Sequence, residues 1–270
     1  MPAPIAKETI YQKLQADYKA VRQYSEDLCK PLTIEDYIPQ PVDFASPPKW
    51  HLAHTTWFFE EFVLKIYHPD YKIYHPHFSY LFNSYYNAVG DRIFRANRGN
   101  ITRPGVKEVY AYREYVDKGM QELLNKLDYS KELEDTIVLG LNHEQQHQEL
   151  LLTDLKYSLG HNPIFPVYKE DFSLIEQFND TSDKGFVHLS EGVYVMGYQG
   201  DGFHYDNELG VHKTYIHESA ISKSLVTNGE FMEFMEAGGY EQSNLWLDEG
   251  WSWIKKTEAR APLYLSLIHI

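Results

Sequence analysis

The chain is poor in cysteine, in basic charge and in long apolar runs, and each shortage argues against a class of protein. Cys29 is the single cysteine in 270 residues, so no internal disulfide framework exists and a reducing compartment is expected. Lys and Arg number 25 against 39 Asp and Glu, a formal net charge of −14. With its basic residues scattered, such a surface repels a polyanion, which argues against a phosphate-tracking nucleic-acid protein. No apolar run approaches the roughly 20 residues that span a bilayer, and the amino-terminal MPAPIAKETIYQKL lacks the apolar core of a signal peptide. The expectation is a cytoplasmic protein with no nucleic-acid and no membrane partner.

What the chain has in quantity is apolar and aromatic residues. They make up 43% of the sequence and include 22 tyrosines, 14 phenylalanines and 5 tryptophans, enough for one large domain or two ordinary ones with aromatic cores. From Lys7 to Cys29 the apolar residues Ile10, Leu14, Tyr18, Val21 and Leu28 fall mostly three or four apart, predicting an amphipathic helix. Ser46 before Pro47 and Pro48 predicts a capped start for a second helix that runs to about Tyr67 and stops at His68-Pro69. Residues 68 to 103, rich in Pro, Gly, Asn and Tyr, read as a long ordered excursion. A third helix is expected from Pro104 to Leu127, with Thr102 or Arg103 near its cap, and a fourth from after Ser130 to Gly160 as a C-terminal cap glycine. Four such helices predict a four-helix bundle.

After about Leu174 the texture changes. Phe186-Val187-His188-Leu189 and Val193-Tyr194-Val195-Met196, separated by glycines, predict strands and turns. A short helix is expected over Val226 to Ala237 and an irregular, Trp-rich tail from Gly238. The fold class is therefore α+β and multidomain: a bundle over 1–160, a linker over 161–185, a smaller α+β domain over 186–264 and a terminal hexapeptide over 265–270.

The bundle carries NHEQQHQE (Asn142 to Glu149) in its fourth helix. His143 and His147 are four apart, hence stacked on one face and able to bind one ion side by side. A third ligand has to come from elsewhere, and His51 or His54 in the second helix are the candidates, one of the two rather than both. The embedded H-E-x-x-H also spells the zinc-protease motif, with Glu144 as general base. The amide-rich Gln145, Gln146 and Gln148 and the lack of a distinct downstream ligand motif weigh against it. Three neutral imidazoles on one side of an octahedral ferrous ion leave three positions for substrates and dioxygen.

Several motifs in order then carry a family resemblance over nearly the whole chain. They are WHLAHTTWFFE (Trp50 to Glu60), LFNSYYNAVGDR (Leu81 to Arg92), RANRG (Arg95 to Gly99), NHEQQHQELL (Asn142 to Leu151), YDNE (Tyr205 to Glu208), VTNGEF (Val226 to Phe231), GGY (Gly238 to Tyr240) and LWLDEGW (Leu245 to Trp251). Together they resemble the non-haem iron sulfoxide synthases of ergothioneine biosynthesis, the hercynine oxygenase family. The resemblance implies a DinB-like four-helix bundle followed by part of a formylglycine-generating-enzyme-like, or sulfatase-modifying-factor-like, domain of C-type-lectin-like α+β fold. It implies Fe(II) held by His54, His143 and His147, with His51 as a neighbour and Glu144 not a protease base. It implies Gln146 against hercynine and Arg95 and Arg98 on the carboxylates of the thiol substrate, a use to which arginine forks are suited. The implied reaction joins the thiol of γ-glutamylcysteine or cysteine to the imidazole C2 of hercynine with O2.

Relatives of the ovothiol and selenoneine branches keep the substrate open, with the arginine pair tilting toward γ-glutamylcysteine. A metal-binding DinB-type thiol transferase is the alternative outside the family. The family pattern continues beyond Tyr264, and its catalytic residues, a tyrosine among them, are expected in that missing portion. The terminal LSLIHI (Leu265 to Ile270) resembles the translation of a transposase sequencing adapter, so a truncated gene fragment is expected. Resequencing that reads through LSLIHI into a stop codon refutes that expectation.

Overall fold

The computed structural model describes residues 7–126, 130–170 and 185–265. The expected linker residues 171–184 and the tail residues 266–270 lie outside the described residues. The chain divides into two compact units, the first running from the amino terminus to Ser173 and including Asp201–Asp206, the second holding the remainder.

The first unit is helical. Helix α1 (Lys7–Cys29) turns Tyr11, Leu14, Tyr18 and Leu28 inward, the stripe its spacing predicts. Helix α2 (Pro48–Phe59) is buried on every side, which makes it the central element of the bundle. It continues through a π-helical stretch, Glu60–Leu64, into the single turn α3 (Lys65–Tyr67). The excursion contains the short helix α4 (Phe78–Phe82) and a 3-10 segment, Arg95–Asn100. Buried Glu60 pins its start, accepting the Tyr71 hydroxyl at 2.7 Å, the Tyr74 N–H at 2.9 Å and the Tyr112 hydroxyl at 2.6 Å. Helices α5 (Val106–Lys126) and α6 (Lys131–Gly160) both pack on α2, and α1 packs on α6. At Gly140 of α6 a Cβ would lie 2.6 Å from the Phe59 ring and 2.8 Å from that of Phe58. Only glycine permits this approach of α6 to α2.

Three local expectations are corrected. The N-cap of α2 is Pro47, without a side-chain cap bond; Ser46 instead turns its N–H to Asp154 and its hydroxyl to Arg98. Gly160 is the last residue of α6, and the cap is His161 in a right-handed conformation, so no left-handed glycine ends that helix. Helix α5 starts at Val106, its first turn closed by the Val109 N–H on the Gly105 carbonyl at 3.1 Å.

The second unit has two antiparallel ladders. Strand β1 (Phe186–Leu189) pairs with β4 (Ser219–Ser222), Phe186 opposite Ser222, and β2 (Gly192–Met196) pairs with β3 (His212–Ile216), Gly192 opposite Ile216. Helix α7 (Asn228–Glu236) starts at a capping box, in which Thr227 Oγ1 accepts the Glu230 N–H at 3.2 Å and Glu230 accepts the Thr227 N–H at 2.8 Å. The tail expected to be irregular contains a further helix, α8 (Asp248–Thr257). Its signals were the acidic Asp248 and Glu249 in the first turn and Trp251 with Ile254 three apart, masked by Gly250 and the tryptophans.

Candidate metal centre

Histidines from α2 and α6 meet where Gly140 lets the two helices approach. His54 Nε2 and His143 Nε2 are 3.2 Å apart, and one ring nitrogen from each of His54, His143 and His147 lies within 4.8 Å of the others. His54 is buried, His143 sits at the edge of burial and His147 is partly exposed, so the cluster is protected from α2 outward and reachable on one side. Trp50 and Trp57 stack on the two faces of His54, at 4.5 and 5.5 Å between ring centres and 13° and 17° between planes. His54 Nδ1 donates to the Phe82 carbonyl at 2.6 Å, which leaves the Nε2 lone pair toward His143.

All of these imidazoles stay neutral at ordinary pH. Burial, then the neighbouring His143, holds His54 well below the usual histidine range. Burial lowers His143 to about 4, and burial followed by the proximity of His54 lowers His147. Burial also lowers His51, against the opposing pull of Asp154. Three neutral nitrogen donors converging within 4.8 Å of one another fit a divalent transition metal.

His51 is placed beside this cluster. Its Nδ1 is 2.9 Å from His147 Nδ1 and its Nε2 is 3.0 Å from the Asp154 carboxylate. It therefore faces a candidate ligand and an acid, both ring nitrogens engaged.

Glu144 cannot serve as a hydrolytic base. About 100° around the helix from His143, it points to α1 and α5, fully buried, and accepts from Arg22 at 3.0 Å, Arg113 at 3.1 Å and Ser25 at 2.7 Å. Burial alone would raise its carboxyl, but Arg22 and Arg113 outweigh that and hold it at about 2. The H-E-x-x-H letters describe a structural ion network on one helix face and metal-type histidines on another.

Arg98 is buried, with its guanidinium 3.3 Å from the centre of the Trp50 ring. It donates to Ser46 Oγ at 2.9 Å and Ser84 Oγ at 3.1 Å. Burial and nearby Arg95 lower it to about 10, so it stays cationic at neutral pH. Among the described residues no carboxylate pairs with Arg95 or Arg98, and Nε of each is buried without a hydrogen-bond partner. Asp154 acts on Arg98 only at a distance, through Ser46, and a buried cation without a direct ion pair suits an anionic ligand. Gln146 is exposed on α6, three residues after His143 and next to His147.

Asp154, Ser46 and Trp50 were missed in the sequence as parts of the site. Asp154 carried a signal: it lies seven residues beyond His147, two turns along the same helix face.

Comparison with known proteins gives a consistent picture. Residues 17–151 match the DinB superfamily, and residues 171–264 match a sulfatase-modifying factor enzyme 1-like domain. A protein named hercynine oxygenase from Mycolicibacterium smegmatis is 27% identical over 224 residues, 81% of this chain and 49% of that one. Proteins of the same name from Mycobacterium tuberculosis and Mycolicibacterium thermoresistibile are 26% and 27% identical over 46% and 53% of this chain. The chain spans 28%, 32% and 49% of the length of these three relatives. Both domain types that the resemblance implies, the DinB-like and the sulfatase-modifying-factor-like, are matched, and no helix among the described residues is long and apolar enough to cross a membrane.

Proposed function

We propose, from the premise that this chain belongs to the DinB superfamily, that it is part of an iron(II)- and O2-dependent sulfoxide synthase acting on hercynine. In the overall reaction the imidazole C2–H of hercynine and the S–H of a cysteinyl thiol are replaced by a C–S bond. One oxygen atom of O2 ends on sulfur and the other in water, which balances the electrons.

The observation that carries the reading is the convergence of His54, His143 and His147. These three would hold Fe(II), which supplies the one-electron chemistry that lets dioxygen react with paired-electron substrates. The chain's own residues bind and orient. Arg98, with Arg95, presents a fixed cationic surface for the carboxylates of the thiol substrate, γ-glutamylcysteine ahead of cysteine because it carries one carboxylate more. Gln146 offers an amide beside His147 to the hercynine headgroup. Trp50, between Arg98 and His54, fixes the distance between anion site and metal site, so that bound thiol and imidazole meet in a set geometry. The hydrolase reading lacks a base, because Glu144 is committed to Arg22 and Arg113.

Anaerobic Fe(II) titration of the chain, followed by hercynine addition, tests the reading. One iron is expected to bind, to be lost in His54→Ala and His143→Ala, and to change its absorption when hercynine is added. Stoichiometric zinc retained by His54→Ala, with no response to hercynine, refutes it.

A further inference from the structure

Two of the three clustered histidines have their tautomer dictated by groups outside the cluster. A neutral imidazole donates from one nitrogen and accepts at the other. His54 donates from Nδ1 to the Phe82 carbonyl. For His147 the constraint is longer. Asp154 Oδ2 accepts the Ser46 N–H at 2.7 Å and faces His51 Nε2 at 3.0 Å, so His51 carries its proton on Nε2 and has a bare Nδ1. Across the 2.9 Å contact between the two Nδ1 atoms the donor is then His147, and its Nε2 is left bare. Ser46 anchors the far end, because its hydroxyl accepts from Arg98 at 2.9 Å while its N–H holds Asp154. His143 is the contrast: its buried Nδ1 has no partner among the described residues.

We propose that His51 and Asp154 are positioning residues, a relay that holds His147 in the Nδ1–H tautomer and so presents its Nε2 to a metal ion. The proposal rests on the reading that His54, His143 and His147 bind a metal. It adds an aspartate and a fourth histidine that neither coordinate it nor touch substrate. Outer-sphere carboxylate–histidine partners of this kind orient ligands and typically change metal affinity by roughly 10- to 100-fold when removed.

The test uses the whole chain with Co(II) as probe, its visible absorption reporting coordination. His51→Leu keeps the bulk and removes both hydrogen bonds; it is expected to weaken Co(II) binding by roughly 10- to 100-fold and to alter the spectrum. Asp154→Leu is expected to do the same. His51→Gln keeps an acceptor for His147 and a donor for Asp154, and is expected to restore affinity to within a few-fold. Wild-type affinity and spectrum in His51→Leu overturn the proposal, and so does a glutamine variant as weak as the leucine one. Complete loss of binding in both overturns it in favour of His51 as a ligand.

Nitrogen-15 NMR of the histidine rings in the metal-free wild-type chain provides a readout that no variant's folding can confound. A proton on His147 Nδ1 is expected, and a proton on Nε2 overturns the relay. If the wild-type chain binds no Co(II) yet shows the expected tautomer, the metal reading fails and the relay geometry stands.

Discussion

The two units handle apolar residues in opposite ways. In the first, Trp57, Phe59, Val116, Met120 and Ile137 are wholly buried, and the ladders of hydrogen bonds are closed within helices whose apolar faces are covered. In the second, Ile254 is the one buried hydrophobic side chain among the described residues, while Val193, Ile221 and Leu247 stay 63%, 64% and 87% exposed. Both units carry regular secondary structure, so backbone pairing does not distinguish them; burial does. A two-stranded ladder without a covered face is marginal in water, whereas the helices draw their stability from the faces they bury. The candidate metal centre accordingly sits in the unit that can hold side chains within a few tenths of an ångström.

The largest expected effect in this comparison comes from the bundle's buried charges. Glu144→Ala leaves Arg113 and Arg22 facing each other's neighbourhood without their shared carboxylate, and should destabilise the chain by about 3–5 kcal/mol in urea unfolding followed by helix circular dichroism.

Acid should act on the same unit. Folded, His51, His54, His143 and His147 hold their protons more weakly than the ordinary 6.5, His143 down to about 4. The unfolded chain therefore binds more protons below pH 6.5, and stability present above that value is lost as pH falls toward 4, by at most about 1.4 kcal/mol per pH unit for each histidine. Glu144 extends the loss in the same direction below 4.5. Unfolding midpoints of the metal-free chain between pH 7 and 4.5 check the sign.

Gly140→Ala should be smaller, about 1–3 kcal/mol, because the added methyl meets the Phe58 and Phe59 rings and the helices must part. It should also weaken metal binding, since the same approach brings His54 to His143. Leu247→Ser in the second unit sets the floor: an exposed side chain with little to lose should shift stability by no more than about 0.5 kcal/mol. A drop of several kcal/mol there would show that the second unit's apolar surface is covered in solution and would undo the contrast drawn between the units.

Much of this was legible in advance. The spacing of Leu14, Tyr18 and Leu28, the prolines before Trp50 and the alternation in 186–196 announced helix, helix start and strand, because each is a local property of backbone period and turn chemistry. Helix α8 escaped because only Trp251 and Ile254 of its apolar side stand in register, too short a run for periodicity to speak.

The sequence alone determined that His143 and His147 share a helix face, that a histidine-bearing helix precedes them and that the chain falls in the DinB superfamily, since helical period and residue identity need no third dimension. Only the tertiary structure decided that His54, not His51, turns toward His143, that Glu144 turns away into an arginine pair and that Asp154 reaches His51. Those outcomes depend on the rotation of each helix about its axis. That rotation is set by contacts between distant residues, Gly140 against Phe58 and Phe59 above all, and no local pattern encodes it.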